Sequence, residues 1–167
     1  MKRIMGILAI LLLCCGVSYA AGTATLTVEY VSGGPGGIPD AAELKWVCAG
    51  NATGYLTSPT VTTTETTRII LRKIFESARR IERVIIDPTG GGGTAPANLY
   101  DIEVRVNSLI ANDLLGGLGD NCGNTTIKMD SPLTETNNYP MYLRETPVVY
   151  GVNLGITRTF AIHMLVR

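Results

Sequence analysis

Residues 23–31 read TATLTVEYV, with Ala24, Leu26, Val28 and Tyr30 alternating against Thr25, Thr27 and Glu29. A period of two places successive side chains on opposite faces of an extended chain, so this stretch predicts a strand with one buried face. The same alternation returns in residues 99–106, where Tyr100, Ile102, Val104 and Val106 form the core side against Leu99, Asp101, Glu103 and Arg105. It returns again in the closing strand over 156–166, which sets Phe160, Ile162, Met164 and Val166 against Ala161, His163 and Leu165. Shorter strand signals lie at 43–48, 125–129, 141–143 and 147–150. Gly-rich and Pro-rich turns separate them at 32–39, 49–54, 89–96 and 151–155. Roughly seven to nine strands spaced about ten residues apart predict a mainly β fold, a single β-sandwich or jelly-roll-like domain over residues 21–167.

Two segments read less simply. Residues 57–67 are dominated by Thr around Val61, a composition that favours extended structure and predicts a solvent-facing strand pair. In residues 68–82, Ile69, Ile70, Ile74, Phe75, Ala78 and Ile81 form one helical stripe, with Arg68, Arg72, Lys73, Glu76, Arg79 and Arg80 opposite. Alone this is a short amphipathic helix. Between strand signals, with Arg83-Val84-Ile85-Ile86-Asp87-Pro88 following, two strands with a basic connection are the other reading. Residues 107–124, rich in Gly, Asn and Asp around Leu109, Ile110, Leu114, Leu115 and Leu118, predict a turn, a short buried strand and a long loop.

Residues 1–20 have the form of a signal peptide: Lys2 and Arg3, an apolar run over 4–15, and a small-x-small end at Ser18 and Ala20. Cleavage after Ala20 is expected, leaving no stable membrane span and an exported, extracellular or periplasmic chain. Removing Lys2 and Arg3 from 14 basic residues, against 14 acidic ones, gives a formal charge of minus two. With no basic excess to hold a phosphate backbone, nucleic acid is not an expected partner. The cut also removes Cys14 and Cys15 and leaves Cys48 and Cys122. In an oxidising compartment these form either a disulfide or two buried free thiols. A bridge closing a loop of about 75 residues would contribute on the order of 4 kcal/mol.

The residues offer little for catalysis. His163 is the single histidine, which excludes a multi-histidine metal site, and in its strand it decorates the face opposite Phe160. The glycine loops lack the Gly-Lys-Ser/Thr ending and the G-x-G-x-x-G pattern of phosphate sites, and read as connections. Asp113, Asp120 and Asp130, with Asn112, Asn121 and Asn124, supply oxygen atoms without the spacing of a calcium loop. Asn51-Ala52-Thr53 and Asn124-Thr125-Thr126 match the glycosylation sequon. The densest charge feature is the run Arg68, Arg72, Lys73, Arg79, Arg80 and Arg83. It is either a solvated face or a contact face for an acidic partner surface. No enzyme activity and no cofactor are expected.

In order along the chain stand Lys45-Trp46, Ala49-Gly50-Asn51-Ala52-Thr53-Gly54, Val84-Ile85-Ile86-Asp87-Pro88 with its glycine loop, residues 95–104 (APANLYDIEV) and residues 113–121 (DLLGGLGDN). A Pro-Val-Val start at Pro147, a Gly/Asn turn and a final apolar strand ending in Arg167 complete the series. Over residues 43–167 this order resembles a family of small structural proteins of tailed-bacteriophage virions. The resemblance implies a non-enzymatic, β-rich, capsid- or tail-associated particle component acting through oligomeric contacts, with itself or other virion proteins as partners. The leader and the cysteine pair favour the alternative, a secreted or periplasmic β-sandwich binding module, adhesin-like or carbohydrate-binding.

Overall fold

The alternation that opens at Thr23 becomes strand β1 (Thr23–Gly33), which pairs antiparallel with β2 (Pro39–Ala49) from Thr23 opposite Ala49 to Gly33 opposite Pro39. The structure, a computed structural model, describes residues 22–33, 39–56, 61–97, 99–105, 113–123, 127–130 and 142–167. The expected leader over 1–20 lies outside the described residues. The remaining elements are β3 (Val61–Thr62), helix α1 (Glu65–Glu76), β4 (Arg79–Asp87), β5 (Asp101–Arg105), β6 (Ile127–Asp130), β7 (Tyr142–Leu143), β8 (Val148–Val152) and β9 (Thr159–Val166). The fold is mainly β, as the alternation predicts.

The strands divide unevenly. Seven belong to one sheet in the order β3-β1-β2-β9-β4-β6, with β7 also paired to β4, and this sheet curls into a half-barrel. Among the described residues, β5 and β8 form the second sheet. The last strand of the chain, β9, sits between β2 and β4 and is antiparallel to both. Its neighbours and it point Leu44, Trp46, Val84, Ile86, Phe160, Ile162 and Met164 inward, all buried. The β5–β8 ribbon adds Tyr100, Ile102, Val104 and Val149, α1 adds Leu71 and Ile74, and the connections add Leu56, Leu114, Leu115 and Leu154 to the same contiguous core. Each large apolar side chain taken fully out of water stabilises such a core by roughly 1.5–3 kcal/mol.

Local chemistry settles the two ambiguous segments. Of the Thr-rich stretch, for which the sequence predicts a strand pair, the described residues begin at Val61 and open with a two-residue strand, β3, parallel to β1. Thr64 instead caps α1: its Oγ1 accepts a hydrogen bond of 3.2 Å from the Thr67 amide, satisfying one of the helix's orphan N–H groups. The basic stretch is helix and then strand. α1 ends at Glu76, Ser77 donates from its amide to Lys73 O, and Ala78 turns the chain with φ 46°, a left-handed conformation rare outside glycine. β4 then carries a register shift between Ile81 and Arg83, so Ile81 and Val84 are both buried three residues apart. That bulge prolongs a helical spacing into a strand, so the apolar stripe alone cannot mark where α1 stops.

Residues 113–123 line the free edge of β5 with turns rather than a strand. Leu114 donates to Val104 O, Ile102 to Gly119 O and Cys122 to Tyr100 O, at 2.7, 2.8 and 2.7 Å. Gly119 is required by close approach, since a Cβ there would stand 1.9 Å from Ile102 O. On the opposite edge, Leu56 and Gly151 exchange two hydrogen bonds of 2.8 Å beside β8. Irregular backbone thus covers both edges of the ribbon, where an open edge would offer a template for unwanted pairing.

Candidate functional site

The six basic residues singled out by the sequence do not form one surface. Arg68 and Arg72 project from α1 into solvent, each beside a carboxylate of the same helix: Arg68 Nη2 lies 2.8 Å from Glu65 Oε1, and Arg72 Nε lies 3.2 Å from Glu76 Oε1. The hydrogen bond from Arg68 holds the Glu65 carboxyl below its ordinary value. Lys73, one position on, is half-buried. Arg79 and Arg80 are half-buried at the start of β4, and Arg80 Nε lies 3.6 Å from Glu82 Oε1. The Arg80 backbone exchanges two hydrogen bonds with Arg167, which ties the basic run to the end of the chain. Arg83 belongs elsewhere, in a hollow on the outer face of the large sheet with Glu43, Ile85, His163 and Leu165.

Arg68 and Arg72 share an open groove of about 430 Å³ along α1, lined also by Glu65, Ile69, Leu71 and Phe75, with Thr63 and Thr146. Ile69 is 51% exposed although Leu71 and Ile74 of the same helix are buried. Amphipathic periodicity explains this. The helix buries one stripe against β1 and β2 and leaves a second apolar edge at Ile69, framed by guanidinium groups. Arginine beside an apolar anchor is the side-chain mixture that concentrates binding energy at protein interfaces.

A second groove, of about 210 Å³, runs over the outer face of the β5–β8 ribbon and is lined by Leu56, Asp101, Glu103, Arg105, Tyr150 and Val152. The period of two presents Asp101, Glu103 and Arg105 on one side of β5, and register places Glu103 opposite Tyr150. Arg105 stacks over the Tyr150 ring at 4.6 Å from its centroid and pairs with Glu103. Asp101 Oδ1 accepts a hydrogen bond of 2.7 Å from the Asn121 amide.

Of the two readings of the cysteine pair, the structure holds the second: Cys48 and Cys122 are free thiols, both buried. Cys48 lies in β2 facing the core between its register partners Ala24 and Phe160, while Cys122 sits in the turn segment beside Tyr100. The Cys122 thiol donates to Gly119 O at 3.0 Å, a bond that disulfide formation would remove. Burial raises both thiols, Cys122 to about 11, which opposes the thiolate needed for oxidation.

The acidic residues considered for calcium are also placed. Asp113 spends its carboxylate on backbone: Oδ1 accepts from Val104 and Leu115 at 3.0 and 3.1 Å, and Oδ2 from Gly117 at 3.1 Å. Asp120 is exposed in the following turn, and Asn112 and Asn124 lie outside the described residues. At the first sequon, Asn51 Oδ1 accepts from the Thr53 amide, the Thr53 hydroxyl and the Tyr55 amide, so this side chain organises the 51–55 turn.

His163 does decorate the face of β9 opposite Phe160, but it has company that linear reading misses. Its Nδ1 lies 3.0 Å from Glu43 Oε1, and Glu29 completes a group whose ligating atoms all lie within 4.8 Å of one another. These residues come from β9, β2 and β1, far apart in sequence. The available signal was their shared polar phase in three alternating strands, which becomes a cluster only once the order β1-β2-β9 is known. Compared with protein-family models, with curated proteins and with solved structures, the chain matches none of them.

Proposed function

We propose that the protein is a non-enzymatic structural component that works through protein contacts, in a tailed-bacteriophage particle. The observation that carries the contact reading is the α1 groove, where half-exposed Ile69 stands between Arg68 and Arg72 above Leu71 and Phe75. The particle reading rests on the ordered motifs from Lys45-Trp46 to the closing strand.

Charge distribution points to the occupant of the groove. Residues 65–83 hold six basic residues (Arg68, Arg72, Lys73, Arg79, Arg80, Arg83) against Glu65, Glu76 and Glu82, a surplus of three positive charges in a chain of formal net charge zero. The rest of the chain carries the opposite surplus; on α1 itself Arg68, Arg72 and Lys73 stand against Glu65 and Glu76, and the occupant we propose is a second copy that presents carboxylates to this helix. A contact between two different patches is head-to-tail and builds rings or filaments, the geometry of particle walls and tubes. Mass spectrometry of purified particles from the source that encodes the chain tests the assignment: the protein is expected at stoichiometric copy number, and its absence overturns the particle reading.

The ribbon groove favours a second reading, a secreted β-sandwich module that binds carbohydrate. An aromatic ring with Arg and carboxylates on a rigid ribbon can hold a ring-shaped polar ligand. Glycan-array binding that is lost on Tyr150→Ala would move the assignment to this reading, and an array without signal removes it.

A further inference from the structure

We propose that Glu29, Glu43 and His163 form a binding site for a divalent transition-metal ion, with zinc as its best occupant, on the outer face of the large sheet. The three residues stand on the adjacent strands β1, β2 and β9, each hydrogen-bonded to the next along its length. Register fixes their relation: Lys45 is opposite His163, so Glu43, two positions away on the same face, lies diagonal to the imidazole. Glu29 is delivered by an irregularity. The β1–β2 register shifts between Val28 and Tyr30, so Glu29 is the extra residue of a bulge, a device that re-aims one side chain in a strand.

The resulting donor set suits a borderline ion. An imidazole nitrogen and two carboxylate oxygens match zinc at about 2.0–2.2 Å per bond, which places neighbouring ligand atoms about 3.4 Å apart in a tetrahedron. His163 Nδ1 and Glu43 Oε1 stand 3.0 Å apart in a hydrogen bond that a metal ion would replace, a distance near one edge of that tetrahedron, and the three ligating atoms lie within 4.8 Å of one another. Three protein ligands leave a fourth position for water. A hollow of about 70 Å³ adjoins Glu43 and His163, bordered also by Arg83, Ile85 and Leu165. Mg²⁺, which prefers oxygen ligands in an octahedron, is a poorer match to a site with an imidazole.

One group competes. Lys45 Nζ lies 3.1 Å from Glu29 Oε1, so its ammonium pairs with one of the two carboxylates. A metal ion must displace this ammonium, which makes Lys45 an internal regulator of affinity and gives the proposal a signature that a plain surface ion-pair network lacks.

Because His163 is the single histidine of the chain, its imidazole resonances report the site without interference from cysteine thiols or the amino terminus. In the full-length protein, titration with zinc chloride should shift the ¹⁵N imidazole signals in a saturable 1:1 manner, and magnesium chloride at the same concentration should not. Glu43→Gln should weaken the zinc response at least tenfold, Glu29→Gln should also weaken it, and Lys45→Gln should strengthen it. An imidazole signal unmoved by excess zinc overturns the proposal, as does a Glu43→Gln response equal to wild type. A Lys45→Gln response weaker than wild type would assign the network to ion pairing alone and also overturn it.

Discussion

The half-barrel sheet and the layer that covers it hold together by different means. In the sheet, β1, β2, β9 and β4 share long antiparallel registers, and an inward row of Leu26, Leu44, Trp46, Ile86, Ile162 and Met164 is buried completely. In the covering layer, regular pairing is confined to five residues each of β5 and β8. There, side-chain oxygens stand in for missing strands: Asp113 accepts from three amides, Asp101 from Asn121, and Asn51 organises the turn beside β8. Apolar burial is spread over many residues and tolerates local change. Polar bracing is concentrated in a few carboxylates and fails one side chain at a time.

Four substitutions or conditions sharpen the contrast, in decreasing order of effect. Trp46→Ala empties the largest buried side chain and should cost about 3–5 kcal/mol in denaturant unfolding, with both layers lost together. Asp113→Ala removes three charge-assisted hydrogen bonds and should cost about 2–3 kcal/mol, with hydrogen-exchange protection lost first over 113–123 and β5 while β9 stays protected. Equal loss of protection in β9 would break the distinction between the layers. Thr64→Ala should cost about 1 kcal/mol through the lost cap of α1. Ala78→Gly, at φ 46°, should leave stability unchanged or raise it by less than about 1 kcal/mol, because relief of the left-handed strain offsets the added freedom of the unfolded chain.

The smallest effect is in pH. Burial opposes ionisation of Asp87, but hydrogen bonds from the Thr89 hydroxyl and amide and the Gly90 amide, with His163 nearby, leave its carboxyl below the ordinary 3.8. A depressed carboxyl contributes stability that is present above its unfolded pKa and is lost as pH falls through the folded value. Asp87→Asn should therefore flatten the stability curve below about pH 4 and leave its slope near neutrality unchanged. At the alkaline end, the raised Cys48, Cys122 and Tyr100 groups predict stability lost as pH rises above about 9, where unfolded thiols ionise first.

The alternating strands were legible in both layers because alternation is a local signal: Ala24, Leu26, Trp46 and Phe160 in the large sheet, and Tyr100 and Ile102 in the ribbon, take the inward faces that a period of two assigns them. The ends and connections of the elements were not. Thr64 reads as β-former by composition yet serves as a cap, and the bulge at Ile81 and Arg83 lets a helical stripe run on into β4. The cysteine pair stayed open in the sequence, since parity allows a bridge and apolar neighbours allow two thiols; the structure holds two buried free thiols, with Cys122 donating to the Gly119 carbonyl. The group around His163 was hidden because its members are brought together by strand order and by a bulge, neither of which has a local sequence signal.

The central claim, that the chain works through contacts made by α1, is tested most directly by sedimentation velocity of the full-length protein at low and high salt, beside Ile69→Asp and Arg72→Glu. The account predicts concentration-dependent self-association that weakens with salt and is abolished by either substitution without loss of fold. A wild-type chain that remains monomeric throughout, or that associates equally after both substitutions, would contradict it.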